Sequence, residues 1–73
     1  MLESRHRATV GIMQYFDYAH LPARLQVVSK SCGDLAQAMV AALPDGPELT
    51  AGLRKLLEAK DCFVRAALDA PET

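Results

Sequence analysis

The sequence predicts an all-α fold: a long antiparallel helical hairpin with a short N-terminal helix or arm, assembling into a homo-oligomer. Three observations predict it: two long stretches with apolar residues at helical spacing, a strong turn signal between them, and a chain of 73 residues, which is short for burying a core alone. We expect a single domain over residues 1–73, with the arm or short helix at 1–14 and the hairpin helices at 22–43 and 47–68.

The turn is predicted at residues 43–47, where the sequence Leu-Pro-Asp-Gly-Pro combines two prolines with an Asp-Gly pair. Pro22 and Pro47 suit the first turns of the two helices, because a proline there gives up an N–H that would be unpaired anyway. Asp45 or Gly46 would cap the second helix.

Each predicted hairpin helix carries an apolar stripe. The first stripe runs through Leu21, Leu25, Val28, Cys32, Leu35, Met39 and Ala42. The second runs through Leu49, Leu53, Leu56, Lys60, Phe63 and Ala67. A short connection makes the helices antiparallel neighbours, and the stripes then pair in one register, with Leu35 opposite Leu56 and Met39 opposite Leu53. Cys32 is expected to be a small core residue on this stripe.

The second hairpin helix has a further apolar edge, formed by Leu57, Val64 and Leu68. A single partner helix leaves part of this edge uncovered, so we expect another chain to cover it. The two cysteines are too few for a disulfide framework, and no Cys/His cluster indicates zinc. Self-association is therefore the expected compensation for the small core.

Composition and motifs exclude several classes of function. The chain has no glycine-rich phosphate loop, no zinc-protease motif and no nucleophile elbow, so we expect no enzyme, no catalytic residue, no metal and no cofactor. A net charge of -1 argues against duplex DNA as a partner. No apolar run is long enough to cross a membrane and no signal peptide is recognisable, which predicts a cytoplasmic protein.

An aromatic-rich segment at residues 15–22 directly precedes the first hairpin helix. Tyr15 and Phe16 could plug the open end of the hairpin, or either of them could stack on a base. Tyr18 is the better candidate for stacking, with His20 supplying a polar contact, because the residues before a proline are extended and can point outward.

Segment 16–22 reads Phe-Asp-Tyr-Ala-His-Leu-Pro. It is followed in order by a long helix, by the turn region at 43–50 and by a final helix that contains the sequence Leu-Arg-Lys-Leu-Leu-Glu-Ala at 53–59. This order resembles the helical-hairpin domain that is shared by small phage proteins known as anti-CBASS and anti-Thoeris sponges. The resemblance covers roughly residues 14 to 68.

The resemblance implies a sponge without enzymatic activity, which sequesters cyclic di- or trinucleotide immune signals in the cytoplasm of an infected bacterium. It also implies ligand pockets between protomers and a homohexamer built from dimers. Tyr18 matches the tyrosine of the entry motif and is implied to stack on a base. Lys30 matches a basic position that meets phosphate.

Further contacts are hypotheses from residue type alone. Arg24 and Arg54 could meet phosphates, and the Thr50 hydroxyl could bind the ligand or only its own helix start. Two alternatives remain: a protein-interaction module that uses the Leu57 edge, and a helix-turn-helix nucleic-acid binder, against which the antiparallel register argues.

Overall fold

The protein is described by a computed structural model that covers residues 5–69. Over this range it is helical and contains no strand. The helices are α1 (Arg7–Met13), a short 3₁₀ helix (Gln14–Phe16), α2 (Ala23–Ala42) and α3 (Pro47–Asp69). The two long helices pack against each other, which confirms the predicted all-α class and its pair of long helices. The predicted arm begins at residue 1, and its first four residues lie outside the described range.

Residues 5–16, which we call the N-terminal segment, cover one side of the hairpin. The segment begins with His6, whose Nδ1 accepts a hydrogen bond from the Ala8 backbone N–H at 3.0 Å and so caps α1. α1 packs against both α2 and α3, and Met13 and Phe16 insert into the core. The core cluster consists of Met13, Phe16, Cys32, Ala36, Val40, Leu49 and Leu53.

The buried face of α2 is not the predicted stripe. Leu35 and Met39 were expected to face α3, but they are 48% and 37% exposed. The residues that α2 buries are Leu25, Ser29, Cys32, Gly33, Ala36 and Val40. This set includes the predicted core residues Leu25 and Cys32. The centre of the buried face, however, lies on smaller side chains and not on Leu35.

The N-terminal segment gives the physical reason for this rotation. It approaches α2 so closely that a Cβ at Gly33 would lie 3.3 Å from the carbonyl oxygen of Phe16. Only small side chains leave room for that approach, and Ala36 and Ser29 are fully buried beside it on the helix. The helix therefore turns its small residues inward and leaves Leu35 outside.

The second apolar edge predicted on α3 is partly covered by the chain itself. Leu57 packs against the core together with Ile12 of α1, so the chain covers this part of the edge itself. Val64 is half-buried and Leu68 is exposed. The expectation that another chain covers the whole edge was wrong at Leu57, because the N-terminal segment supplies the missing layer.

The turn end of the hairpin is tied to the N-terminal segment by charged hydrogen bonds. The guanidinium of Arg5 donates to the carbonyl oxygens of Val40 and Leu43, both at 2.7 Å, and to the Asp45 carboxylate at 2.9 Å. The carbonyls at the end of α2 have no partner within their own helix, so Arg5 satisfies two groups that would otherwise need water.

The Asp45 carboxylate also accepts from the His6 backbone N–H at 2.8 Å and from the Thr9 hydroxyl at 3.4 Å. These donors, led by the His6 N–H and followed by Arg5, hold the pKa of Asp45 below its usual value. Gly46 fits its predicted capping place, since its carbonyl accepts from the Thr50 N–H at 3.1 Å. Asp45 instead holds the N-terminal segment.

Candidate functional site

The candidate residues from the sequence divide between two regions of the hairpin. Five of them lie before α2 or in its first eight residues: Phe16, Tyr18, His20, Arg24 and Lys30. Thr50 and Arg54 lie within the first eight residues of α3, next to the turn. A helix of 20 residues spans about 30 Å, so a single chain does not gather all seven residues around one compact ligand.

Tyr18 and Lys30, the two residues that the family resemblance selects, lie within range of an electrostatic interaction. Lys30 Nζ donates to the Asp34 carboxylate at 2.7 Å, one turn further along α2. The pKa of Lys30 is raised chiefly by this hydrogen bond, then by the charge of Asp34 and by the phenol of Tyr18. Lys30 is exposed and Tyr18 is half-buried, so both side chains are accessible.

Phe16 does not belong to this surface. Its side chain is 4% exposed and packs in the core against α2 and α3. The hypothesis that Phe16 stacks on a base is therefore wrong for this chain, because its ring is occupied by core contacts. Phe16 instead packs in the core beside Gly33, in the middle of α2, whereas the Tyr15 side chain is 60% exposed.

Arg24 and His20 lie at the open end of the hairpin. Arg24 Nη1 donates to the carbonyl oxygen of Ala67 at 2.9 Å and thereby joins the start of α2 to the last turn of α3. A cation at the C-terminus of a helix is stabilised by the helix dipole, so this contact gives Arg24 a structural role. His20 is exposed and lines a cavity nearby.

This open-end cavity has a volume of about 340 Å³. It lies between the aromatic-rich segment and the last turns of α3. Its lining residues are Gln14, Tyr15, Asp17, His20, Leu21, Ser29, Lys60, Asp61, Val64 and Arg65. Ser29 is fully buried, and its hydroxyl has no hydrogen-bond partner among the residues that the structure describes.

Sequence reasoning missed Ser29, because it lies one position outside the predicted apolar stripe. It singled out Lys60 only as a cation that interrupts a stripe. In the structure Lys60 Nζ donates to the Tyr15 carbonyl oxygen at 2.8 Å and lies 3.5 Å from the Asp61 carboxylate. The lysine at an apolar position of α3 and the aromatic-rich segment with His20 were the signals in the sequence for this cavity.

Thr50 and Arg54 line a second cavity, of about 480 Å³, at the turn end. His6, Asp45, Gly46 and Pro47 complete its wall. Asp45 contributes a negative charge there, although Arg5 neutralises part of it. The cavity therefore suits an anionic ligand less well than the surface at Tyr18 and Lys30.

An apolar groove runs between α2 and α3 on the side opposite the N-terminal segment. We use this name for the depression of about 270 Å³ lined by Leu35, Met39, Leu43, Glu48, Leu49, Gly52, Leu53 and Leu56. Glu48, at the turn end, is the charged member of this lining. Leu35 and Met39, which the sequence assigned to the core, thus contribute to an exposed surface, whereas Leu49 and Leu53 of the same lining are buried.

Two further properties bear on function. Over residues 5–69, no group of three or more His, Cys, Asp or Glu side chains is placed to hold a metal ion. None of the helices in that range is both long and apolar enough to span a membrane.

Comparisons of the chain with protein-family models, with curated proteins and with solved structures found no match. The structure and the residues themselves therefore carry the functional argument.

Proposed function

We propose that the chain is a phage-encoded sponge, which binds cyclic di- or trinucleotide messengers and sequesters them without cleaving them, so that the CBASS immune system of the host bacterium is blocked. The observation that carries this proposal is that Tyr18 and Lys30 are both accessible and lie within range of an electrostatic interaction. These residues are twelve positions apart in the sequence, and the motif resemblance selected both of them independently of the fold.

The chemistry of the pair suits such a ligand. An aromatic ring can stack on any nucleobase, and base stacking on a side chain contributes about 1–3 kcal/mol. The Lys30 ammonium is a point charge for a phosphate oxygen. Its present partner, the exposed carboxylate of Asp34, would be displaced or shared when a phosphate binds.

Assembly would complete the site, since the Tyr18 and Lys30 surface is open in a single chain. A second protomer facing it would enclose the ligand, which is the arrangement that the resemblance implies, with dimers building a homohexamer. The apolar groove offers a surface for such self-association. Sequestration requires affinity alone, so the proposal assigns no acid, base or nucleophile.

The proposal is tested by calorimetric titration of the protein with a panel of cyclic di- and trinucleotides. We expect Tyr18→Ala and Lys30→Ala each to weaken binding at least tenfold, with unchanged circular dichroism and mass in solution. Lys55→Ala is the matched control, because Lys55 is also an exposed helical lysine but lies on α3. Equal affinities for Lys30→Ala and Lys55→Ala would contradict the proposal.

The paired carboxylate supplies a variant with the opposite expected sign. Asp34→Ala removes the group that competes with phosphate for the Lys30 ammonium. We expect this variant to bind the cyclic nucleotide more tightly, by at most about fivefold, because an exposed ion pair of this kind is weak. Weaker binding would show that Lys30 does not meet the phosphate.

The apolar groove favours a second candidate function, a helical protein-interaction module without a nucleotide ligand. In that case a helix of a different protein would pack into the groove. The mass of the pure protein separates the two candidates. A discrete homo-oligomer favours the sponge, whereas a monomer that binds no cyclic nucleotide favours the interaction module.

A further inference from the structure

We propose that the open-end cavity is a second ligand site, distinct from the Tyr18 and Lys30 surface, and that it takes a phosphate ester of mononucleotide size. The inference goes beyond the proposed function, because it does not depend on cyclic oligonucleotides or on assembly. It rests on a buried hydroxyl without a partner, on two cations beside it and on the size of the cavity.

Ser29 is the first of these observations. The residue lines the cavity, and its hydroxyl is buried and has no hydrogen-bond partner among the described residues. Ser31, two positions later on α2, shows what a serine in this helix ordinarily does, since its hydroxyl donates to the Val27 carbonyl oxygen at 3.0 Å. Ser29 does not make the corresponding bond. A buried hydroxyl left unsatisfied is destabilising, and a ligand in the cavity would satisfy it.

Lys60 and Arg65 supply positive charge to the same cavity. The Lys60 side chain is 12% exposed, and its ammonium is fixed by the carbonyl oxygen of Tyr15 at 2.8 Å. Arg65 Nη2 donates to the Sγ of Cys62 at 3.3 Å, and sulfur is a weak acceptor. Both cations therefore retain donor capacity for the oxygens of a phosphate.

The remaining lining argues for an ester rather than a bare phosphate ion. Asp17 and Asp61 also line the cavity and balance the charge of Lys60 and Arg65, so a phosphate group alone gains little there and the rest of the ligand has to contribute affinity. Leu21 and Val64 provide apolar wall for the body of a larger ligand. A volume of about 340 Å³ lies in the usual range for small-molecule sites. Carboxylates accept hydrogen bonds from the hydroxyl and amino groups of a nucleoside.

The two sites occupy different faces of α2. Ser29 is buried against the body of the protein, whereas Lys30, the next residue, is exposed. Consecutive residues of a helix point about 100° apart, so a substitution at one site leaves the other accessible for measurement.

The test is a titration of the protein with adenosine 5′-monophosphate and, in a separate experiment, with inorganic phosphate. Binding is measured by calorimetry and by the changes in NMR chemical shift of the backbone amides around Ser29. We expect the nucleotide to bind and to bind more tightly than phosphate. Ser29→Ala should weaken nucleotide binding at least tenfold while leaving the thermal midpoint of the free protein unchanged or raised. Ser31→Ala, the matched control, should bind as the wild type does.

Lys60→Met, which keeps the apolar stem and removes the charge, should weaken nucleotide binding by a similar factor. Wild-type affinity in both Ser29→Ala and Lys60→Met would overturn the inference, as would no nucleotide binding at millimolar concentration. Equal affinity for phosphate and nucleotide would overturn the assignment of an ester. Tyr18→Ala should leave nucleotide binding intact, so failure of the sponge proposal and failure of this inference give different results.

Discussion

The two sides of the hairpin differ in what covers them: the N-terminal segment covers one side, which we call the filled side, and leaves the other, the open side, uncovered. On the filled side, the N-terminal segment packs against small residues of α2 such as Gly33 and Ala36, which are buried. On the open side, Leu35 and Met39 face outward along the apolar groove. Leu35 and Met39 of α2 are therefore more exposed than the smaller Gly33 and Ala36.

The difference between the two sides shows that the most hydrophobic side chains of the single chain are not always the most deeply buried ones. Small side chains are buried where a third element must approach closely, and this close approach allows Phe16 to enter the core. The large residues on the open side are available to a partner, in line with the proposed self-association. The filled side should then control folding, and the open side should control assembly.

The largest expected effect is on the filled side, at Phe16. Phe16→Ala removes a ring that is 4% exposed in the core, so we expect a loss of about 3–5 kcal/mol in the free energy of unfolding. Tyr15→Ala is the control, since the neighbouring Tyr15 side chain is 60% exposed and should contribute less than about 1 kcal/mol. Urea denaturation followed by circular dichroism measures both. Similar losses would show that the segment does not pack as described.

The next effect is at the attachment of the segment to the turn. Arg5→Ala leaves the carbonyl oxygens of Val40 and Leu43 without their donor, and we expect a loss of about 1–3 kcal/mol in the free energy of unfolding. Arg7→Ala is the matched control, because Arg7 is exposed and its substitution removes the same charge from the same segment. If the two variants are equally stable in urea, the segment is held by Phe16 and Met13 alone.

A smaller effect is expected on the open side, and in assembly rather than in folding. Leu35→Lys places a charge in the apolar groove, where the wild-type side chain is already 48% exposed. We expect the dissociation constant for self-association to rise at least tenfold, with less than about 1 kcal/mol change in the free energy of unfolding of the dilute protein. Sedimentation velocity over a concentration series measures the first quantity. Gln37→Lys, at an exposed position of the same helix, should leave the mass unchanged.

The smallest effect concerns pH. The pKa of Asp45 is lowered in the folded protein, chiefly by the His6 backbone N–H, so the ionised carboxylate stabilises the fold. This stabilisation is complete well above the pKa of Asp45 in the unfolded chain, about 3.9, and it is lost as the pH falls through the lowered pKa of the folded protein. We expect Asp45→Asn to reduce the thermal midpoint at pH 6, and the difference from wild type to shrink as the pH falls below about 4. A constant difference across that range would assign the effect to packing rather than charge.

The hairpin was predictable from the sequence because its signals are local. The prolines, the Asp-Gly pair and the helical spacing all act within a few residues, and the helices begin and end close to the expected positions. The side of α2 that faces inward was not predictable, since Leu35 and Gly33 both lie on an extended apolar arc. The choice between them depends on Phe16, which is distant in sequence and whose approach only the fold reveals.

The candidate site was predictable in part for the same reason. Tyr18 and Lys30 were selected by motif, but their proximity depends on how residues 17–22 lead into α2. Phe16 was misassigned because an aromatic residue beside a helix start can serve as a plug or as a stacking surface. Ser29 was missed because a buried serine without a partner has no signature in the sequence; only the packing around it makes it unusual.

The central claim is that this chain holds a cyclic oligonucleotide intact, and it is tested most directly by recovery of the ligand. The wild-type protein is incubated with each cyclic di- and trinucleotide, separated from unbound ligand by gel filtration and then denatured, and the released nucleotide is identified by chromatography. The account predicts that at least one cyclic nucleotide co-elutes with a homo-oligomer and is recovered intact in stoichiometric amount, while Lys30→Ala retains at most a small fraction. Recovery of linear products, or no retained nucleotide from a folded oligomer, would contradict it.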